Sequence, residues 1–417
     1  MKRKSYKKII LATLISVLIM IGSASAVYAT QPYVSEQLIL SQETVDAIAT
    51  GISKDGKVIA WNYDYIIRPG VPVASLKSNA TILSGNNWAK KTKVKTLRFD
   101  DSGLSGVWAL SNDGKIVAGY SSNKKEGPYI RAVIWSGNNW TTKTDLGALK
   151  NDILGGSTIF ALSADGKVAA GISESEIPFQ RAVIWSGDNW ATKTDLGTLR
   201  NDNLGDSTAS VLSADGKVVA GTSRSDEFSK RATIWSGDNW ATKTDLGTLR
   251  NDNSGDSIAT ALSADGTIAA GMSEIDTVTK EVYRQATIWS GKNWEKTSLG
   301  SLRSDNLGNS QVTRLSADGK IAAGYSDTDS KTIQHAVIWS GENWATKTDL
   351  GTFKADNSGV SSIHGLSADG TIAVGFSSTD AKGQRAVLWK IVYPASSESG
   401  SNSKNPAHIQ FPMQPTQ

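Results

Sequence analysis

The sequence predicts an all-β protein that forms a closed seven-bladed β-propeller, with four antiparallel strands in each blade. Three observations predict it: a repeat of about 50 residues, seven copies of a Ser-x-Asp-Gly tetrad, and complementary ends of the repeat array. The first tryptophan of the Ile-Trp-Ser-Gly segment recurs at Trp135, Trp185, Trp235, Trp289, Trp339 and Trp389, in steps of 50, 50, 54, 50 and 50 residues. The tetrads begin at Ser53, Ser111, Ser163, Ser213, Ser263, Ser316 and Ser367. Four short strands in a unit of this length are typical of a propeller blade.

One repeat, starting at Ser207, shows how each strand is predicted. The first strand, Thr-Ala-Ser-Val-Leu-Ser-Ala, ends at Asp215-Gly216, and Asp-Gly between alternating apolar residues is a strong hairpin signal. The second strand is Lys-Val-Val-Ala-Gly-Thr-Ser. A polar loop leads to the third, Arg-Ala-Thr-Ile-Trp-Ser-Gly, and a Gly-Asp-Asn turn opens the fourth, which ends in Asp-Leu-Gly-Thr-Leu. We expect the strand that carries the tetrad to line the central axis, and both tryptophans of the third–fourth hairpin to pack between blades.

The two ends of the array predict how the ring closes. The last copy stops after its third strand, residues 385–392, so its fourth strand is missing. Residues 36–40 end 13 residues before Ser53, close to the 14 residues between Leu249, at the end of a fourth strand, and Ser263. We therefore expect the N-terminal strand to complete the last blade, which removes two exposed sheet edges.

The N-terminus predicts export. Five Lys or Arg residues precede an apolar run over 9–22 and small residues that fit a cleavage site, with cleavage after Ala29 favoured over Ala26. An uncleaved membrane anchor is the alternative, although the run is short of the about 20 residues that a spanning helix needs. We expect a signal peptide over 1–29, the propeller over 30–393, and a disordered tail rich in Ser, Pro and Gln over 394–417.

The amino-acid composition limits the classes of binding partner that we expect for this chain. Five of the 44 basic residues lie within 1–29, so the remainder carries 39 basic and 40 acidic residues. A near-neutral chain has no general attraction for nucleic acid or anionic membrane. The absence of cysteine excludes disulfides and cysteine metal sites. We expect no nucleic-acid partner, no membrane span after cleavage, and a monomer whose protein or glycan ligand the sequence does not name.

The repeat itself resembles a known type. The succession of Asp-Leu-Gly-Thr-Leu, Ser-x-Asp-Gly-Lys-Val-Val-Ala-Gly and Arg/His-Ala-x-Ile-Trp is similar to the HAF-type bacterial extracellular repeat, and His335-Ala336-Val337 is the copy nearest to His-Ala-Phe. It also resembles passenger regions of autotransporter surface proteins. The resemblance covers about residues 36–392 and implies a secreted or surface-displayed propeller, but it supplies no catalytic motif. Only a short tail follows residue 392, so we expect no attached membrane barrel.

Motifs for catalysis or metal binding are weak. The tetrad aspartates are expected to bond to their own turns. The loops over 201–207 and 251–257 offer oxygen ligands for Ca²⁺ but lack EF-hand spacing, so we expect no cofactor. No nucleophile elbow, zinc-binding helix or phosphate-binding glycine loop is found.

Two classes of position differ between the copies and could therefore carry a unique site. The loops between second and third strands vary, which could also be drift of an unconstrained surface. In the first strand, where other blades have Thr or Ser, blades two, three and seven have Trp108, Phe160 and His364, and blade six has Arg314 one position later. These four residues are the candidate ligand site in the central funnel, for a glycan or an acidic group. Compensatory packing between unequal blades is the alternative.

The sequence therefore favours an exported, non-enzymatic binding or adhesion module at the cell surface or in the periplasm. A propeller enzyme that acts on polysaccharide is the first alternative, and it requires two or more carboxylates in the funnel. A truncated autotransporter passenger is the second alternative.

Overall fold

The computed structural model describes residues 31–41, 47–63, 80–123, 130–150, 155–277, 281–330, 333–381 and 383–394. Tyr33–Val392 forms one compact unit. The expected signal peptide and all but the first residue of the expected tail lie outside the described residues. In blade one the sequence between the second and third strands is longer than in the other repeats, roughly over 64–77, and in blade five it has four extra residues; 64–77 and 278–280 also lie outside the described residues.

The unit consists of seven four-stranded antiparallel sheets, which confirms the predicted fold and blade count. The strands of blades one to three are β2 Ala47–Ile52, β3 Ile59–Tyr63, β4 Thr81–Ser84 and β5 Lys90–Lys93; β6 Ser105–Leu110, β7 Val117–Ser122, β8 Ile130–Ser136 and β9 Thr142–Asp145; β10 Ser157–Leu162, β11 Ala169–Glu174, β12 Gln180–Ser186 and β13 Thr192–Asp195. Those of blades four to six are β14 Ser207–Leu212, β15 Val219–Arg224, β16 Lys230–Ser236 and β17 Thr242–Asp245; β18 Ser257–Leu262, β19 Ala269–Glu274, β20 Arg284–Ser290 and β21 Glu295–Gly300; β22 Ser310–Leu315, β23 Ala322–Asp327, β24 Gln334–Ser340 and β25 Thr346–Gly351. Blade seven has β26 Ser361–Leu366, β27 Ile372–Ser378, β28 Gln384–Val392 and, as its fourth strand, β1 Tyr33–Ile39.

The ring is closed by β1, as the ends of the sequence predict. It pairs antiparallel with β28, with Gln37 opposite Trp389 and Ile39 opposite Val387. The strand begins at Tyr33, three residues before the start expected from the repeat spacing. Behind it, Leu40 and Trp61 share a buried cluster with Leu388, so apolar side chains from blades one and seven form one core at the closure.

The tetrad turns are held by the serine and the aspartate together. In blade three, Ser163 Oγ donates to Asp165 Oδ1 at 2.7 Å and accepts from Val168 N at 3.0 Å. Asp165 also accepts from Lys167 N at 3.0 Å. Gly166 has φ +73°, a conformation that side chains rarely adopt. The turn role expected for the tetrad is therefore observed.

The cores lie between blades, and in blades two to seven the first tryptophan of the third–fourth hairpin fills them. Trp185 of blade three is fully buried among Ala132 and Ile134 of blade two, and its equivalents in blades two and four to seven are equally buried. The second tryptophan is only partly buried. Trp190 adopts φ +55° in a short 3₁₀ turn, and its Nε1 donates to Gly166 O of the same blade at 2.9 Å. That hydrogen bond stabilises a backbone conformation that is unfavourable for a non-glycine residue.

A closed cycle of backbone hydrogen bonds joins the blades around the axis. The second residue of each tetrad donates its N–H to the carbonyl of the same residue in the next blade, over 2.8–3.3 Å. The members, in order, are Lys54, Asn112, Ala164, Ala214, Ala264, Ala317 and Ala368, and Ala368 donates to Lys54. Each blade therefore donates a hydrogen bond to the next blade, and the bond from Ala368 to Lys54 closes the cycle between blades seven and one.

A second set of seven hydrogen bonds joins the blades farther from the axis. The N–H of the third-strand alanine donates to a serine hydroxyl of the following blade, as Ala182 does to Ser207 at 3.0 Å. The other pairs are Ala80–Ser105, Ala132–Ser157, Ala232–Ser257, Ala286–Ser310, Ala336–Ser361 and Ala386–Ser41. In blade one the first strand begins with Ala47, and Ser41 supplies the hydroxyl instead.

Candidate functional site

The first strands line a central channel, as expected. Seven branched apolar side chains form a constriction in it, which we call the leucine ring: Ile52, Leu110, Leu162, Leu212, Leu262, Leu315 and Leu366. One cavity lies between this ring and the tetrad turns and includes Lys54 and Asn112. A second cavity of about 200 Å³ lies on the other side of the ring, and we call it the axial cavity.

A β-bulge marks the wall of the axial cavity in every blade. In blade three the register shifts between Ile159 and Ala161, so Phe160 has no partner in β11. The corresponding bulge residues in the other blades are Thr50, Trp108, Ser210, Thr260, Thr313 and His364. A bulge redirects a side chain out of the regular strand alternation. The position singled out by comparing repeats is therefore the position with special backbone geometry.

Threonine at the bulge has a structural role. Thr50 Oγ1 donates to Val107 O of the next blade at 2.6 Å, and Thr313 Oγ1 donates to Ile363 O at 2.6 Å. Thr260 makes the same contact to Val312 at 2.5 Å. Phe160 has no side-chain donor, and Trp108 makes no such bond among the described residues; both line the axial cavity, half-buried.

Arg314 brings a positive charge into the same cavity. Its Nη1 donates to its neighbour Thr313 O at 2.7 Å, and its Nη2 reaches Thr50 O of blade one at 3.5 Å. Blade seven lies between these two blades and has Gly365 at the position of Arg314. Within the described part of the chain, Arg314 forms no ion pair. Burial lowers the pKa of Arg314 to about 10, so it stays protonated at neutral pH.

His364 is placed differently from the other three candidates. It is largely buried and stacks on Phe376 with ring centroids 5.6 Å apart, and it is not part of the axial-cavity lining. Its Nε2 has no hydrogen-bond partner among the described residues. Burial first, and then the charge of Arg314, lower the pKa of His364 to about 4, so the ring is neutral at pH 7. The structure thus brings Trp108, Phe160 and Arg314 together and leaves His364 beside them.

The opposite ends of the blades differ in character. The tetrad turns and the third–fourth hairpins form one face, which we call the turn face. The second–third loops and the connections between blades share the other, the loop face. They are tied together there: Asn201 N in the connection before blade four donates to Asp226 Oδ1 in the loop of that blade at 3.0 Å, and Asn251 N donates to Asp276 at 2.8 Å. Some residues of the variable loops are therefore structural.

The loop face carries exposed apolar side chains. Among the described residues, nine large apolar side chains are exposed, and six lie in loop-face segments: Phe99, Ile177, Leu204, Phe228, Val282 and Leu307. The other three, Tyr33, Ile39 and Val392, belong to the outer strands β1 and β28. Phe228 is 70% exposed and has φ +60°. The Arg200 guanidinium lies 4.4 Å from the centre of its ring, a cation–π contact that fixes the ring at the surface.

The Asn/Asp-rich loops use their oxygens internally. Asn203 Oδ1 accepts from Thr198 N at 2.8 Å, and Asp202 accepts from Leu204 N at 2.9 Å. The side-chain hydrogen bond from Arg200 is the main reason that the pKa of Asp202 falls to about 2. In the described part of the chain, no three His, Asp or Glu side chains cluster as a metal site would require.

The residue that gives the repeat its Arg/His-Ala signature also has a structural role. Arg181 is fully buried; its Nε donates to Asp195 Oδ1 at 3.1 Å and its Nη1 to Asn203 O at 2.6 Å. In blade six His335 Nδ1 lies 2.9 Å from Asp349 Oδ2. This position therefore ties the third strand to the fourth strand and to the next connection, and it lies outside the axial cavity.

Comparison with known proteins supports the fold alone. No family model matches the chain, and no curated protein sequence matches it. The β-propeller domain of the Trilobed protease from Pyrococcus furiosus is similar at a TM-score of 0.50 and 13% identity, over 82% of this chain and 95% of that one. TolB from Acinetobacter baumannii matches at 0.40 and 14%, over 60% of this chain and 53% of that one, so the match spans about half of TolB. The periplasmic gluconolactonase PpgL of Pseudomonas aeruginosa matches at 0.36 and 11%, over 84% of this chain and 98% of that one.

Proposed function

We propose that this chain is an exported, non-enzymatic binding module that acts at the cell surface or in the periplasm. Export is supported by the basic, apolar and small-residue succession over 1–29. The described residues contain no helix long and apolar enough to cross a membrane. Binding is supported by the two places where the repeats stop being alike, the loop face and the axial cavity.

The observation that carries the proposal is the geometry of Phe228. A largely exposed aromatic ring adds little to the core, and its left-handed backbone is unfavourable for a side chain of this size. Arg200 holds the ring in place, and Leu204 is exposed in the connection that contains Arg200. Tryptophan, tyrosine and arginine side chains supply most of the binding energy at protein interfaces, and an exposed phenylalanine ring held by an arginine offers a similar apolar anchor.

The chemistry of the axial cavity favours binding over catalysis. Glycoside hydrolysis ordinarily needs two carboxyl groups on either side of the scissile bond. The described residues that line the axial cavity and the cavity beneath it include no Asp or Glu. The cavity offers a cation, two aromatic rings and hydroxyl groups, which are suited to holding a ligand.

A screen of the purified chain on glycan and extracellular-matrix protein arrays tests the proposal. We expect a ligand whose binding falls at least tenfold in Phe228→Ser or in Arg314→Gln, and these two variants separate the loop face from the axial cavity. Val392→Ser is the matched control, because it removes an exposed apolar side chain from the outer edge of blade seven. Equal losses in all three variants, no ligand on either array, or release of cleavage products from a bound polysaccharide would contradict the proposal.

A further inference from the structure

The axial cavity contains a charge that the described protein does not neutralise. Arg314 has five N–H donors, and the structure uses two of them, both on backbone carbonyls. Another described basic residue near the axis, Lys54, lines the other cavity, beyond the leucine ring. Arg314 is partly buried and has no acidic partner among the described residues, so its natural complement is a negative charge brought by a ligand.

The number of cations indicates the charge of that ligand. A single guanidinium pairs with a carboxylate through two parallel hydrogen bonds, and this geometry suits one negative charge. A phosphate dianion would call for a second cation, and none lines the axial cavity among the described residues. The net charge of the chain without its first 29 residues is also close to zero, which disfavours a polyanion held by general electrostatics.

The other residues that line the axial cavity indicate what kind of molecule the carboxylate belongs to. Trp108 and Phe160 come from adjacent blades and offer aromatic surface to the cavity. The Ser210 hydroxyl faces the same space and has no hydrogen-bond partner among the described residues. A ligand with one flat apolar side and several hydroxyl groups matches this combination of rings and polar atoms. A pyranose ring has that character.

The size of the cavity limits the ligand to one such ring. Its volume of about 200 Å³ is below the range of roughly 300–1,000 Å³ that is usual for sites of drug-sized ligands. A single sugar, free or at the end of a longer glycan, fits a cavity of about 200 Å³ better than an internal stretch of polymer does.

We propose that the axial cavity binds a hexuronic acid, with Arg314 pairing with the carboxylate and Trp108 packing against the sugar ring. This inference rests on the proposed binding function and names a ligand class for one of its two candidate places. The ligand is either a free hexuronate or the terminal residue of an acidic glycan, and both present the same carboxylate and ring.

Calorimetric titration and saturation-transfer NMR on the purified chain test this inference. The probes are glucuronate and galacturonate, the neutral sugars glucose and galactose, glucuronate methyl ester, acetate, and a uronic-acid-terminated oligosaccharide. We expect at least one uronate to bind at least tenfold more tightly than its neutral parent, its methyl ester and acetate. Equal affinity for the free uronate and the uronic-acid-terminated oligosaccharide indicates that the single acidic ring is recognised, and tighter binding of the oligosaccharide indicates that the end of a glycan is the source.

Variants separate the cavity from general electrostatics. Arg314→Gln should abolish the preference for uronate over the neutral sugar, and Trp108→Ala should weaken binding more than Trp108→Phe. Lys54→Gln is the matched control, because it removes an axial cation that lies outside the axial cavity. A preference for uronate that survives in Arg314→Gln, or that is lost equally in Lys54→Gln, would overturn the inference, as would wild-type binding that does not distinguish uronates from neutral sugars.

Failure of this inference can be distinguished from failure of the proposed binding function. If no uronate binds while an array ligand is lost in Phe228→Ser, the inference fails and the binding module stands with its site on the loop face. Circular dichroism and the midpoint of thermal unfolding verify that each variant is folded, so a loss of binding is assigned to the removed side chain.

Discussion

Gln285 Oε1 accepts a hydrogen bond from Ser298 Oγ at 2.7 Å, at the two positions that hold Arg and Asp in blades two, three and four. Both members of the pair have changed together in blade five. Gln285 Nε2 still reaches the connection to the next blade, donating to Asn306 O at 2.7 Å, as Arg231 does to Asn253 O at 2.6 Å. A neutral pair thus replaces a charged one without loss of the link between blades.

The pairing predicts strong coupling between these two positions. Ser298→Asp alone should lower the free energy of unfolding, because the carboxylate would face a glutamine that cannot neutralise it. Adding Gln285→Arg should recover that loss, with a coupling energy of about 1–2 kcal/mol in a double-mutant cycle. The measurement is urea unfolding of the wild type, both single variants and the double variant. Additive changes would show that the two side chains do not act as a pair.

The hydrogen-bond cycle around the axis can be interrupted at one N–H. Ala214 is the second residue of a turn that is closed by Gly216 N donating to Ser213 O at 3.0 Å, a position that accepts proline. Ala214→Pro should therefore suit the turn and remove only the N–H that donates to Ala264 O at 2.8 Å.

We expect Ala214→Pro to lower the free energy of unfolding by about 1–3 kcal/mol, because the Ala264 carbonyl loses its donor and meets the proline ring. Ala214→Ser is the control, since it changes the side chain and retains the N–H. Chemical denaturation measures both variants. Equal stability of the proline and serine variants would mean that the cycle does not contribute to stability.

Much of this fold is visible in the sequence because it is local. Ser-x-Asp-Gly encodes its own turn, and the truncated last repeat with the spacing of residues 36–40 predicts closure by β1. The two sets of hydrogen bonds between blades were not predicted, because they depend on how separate sheets meet. The repeated serine at the start of the first strand is a usable signal for the second set, because its hydroxyl accepts from the preceding blade.

Blade one shows a compensation that the sequence contains but pattern matching misses. Leu83 replaces the core tryptophan of its repeat, and Trp61 replaces the second-strand glycine found in all other blades. The structure places both in one buried cluster with Leu388, so Trp61 supplies the missing volume from another strand. In the candidate site, comparison of repeats correctly singled out a special position, but only the geometry separates the cavity-lining Trp108, Phe160 and Arg314 from His364.

His364 predicts a pH dependence of stability between about pH 6.5 and 4. Its pKa is lowered from 6.5 to about 4 in the folded state, so the unfolded chain binds a proton that the folded chain excludes. The stability associated with this group is complete above pH 6.5 and falls as the pH drops toward 4, by about 3 kcal/mol in total.

His364→Phe should remove that dependence, because the ring contact with Phe376 is kept and the titrating group is lost. The measurement is urea unfolding at several pH values between 4 and 7. Wild type and variant should have different slopes within this window and equal slopes above pH 7. A wild-type slope retained in the variant would assign the dependence to another group.

We expect that removing the charge of Arg314 raises the free energy of unfolding of the propeller. Its guanidinium is partly buried and has only carbonyl partners in the described structure, and a charge withdrawn from water without an opposite charge is unfavourable for folding. Arg314→Met keeps the apolar stem of the side chain and removes the charge. It should raise the free energy of unfolding by about 1–2 kcal/mol, as substitutions at binding residues often do at the expense of function.

Arg231→Met is the matched control and should lower the free energy of unfolding, because Arg231 donates to Asp245 at 3.1 Å and holds the following connection. Chemical denaturation of the two variants and the wild type measures both changes in the free energy of unfolding, and the two changes should have opposite signs. If Arg314→Met destabilises the chain as Arg231→Met does, Arg314 is retained for packing, and its place in the axial cavity has a structural explanation.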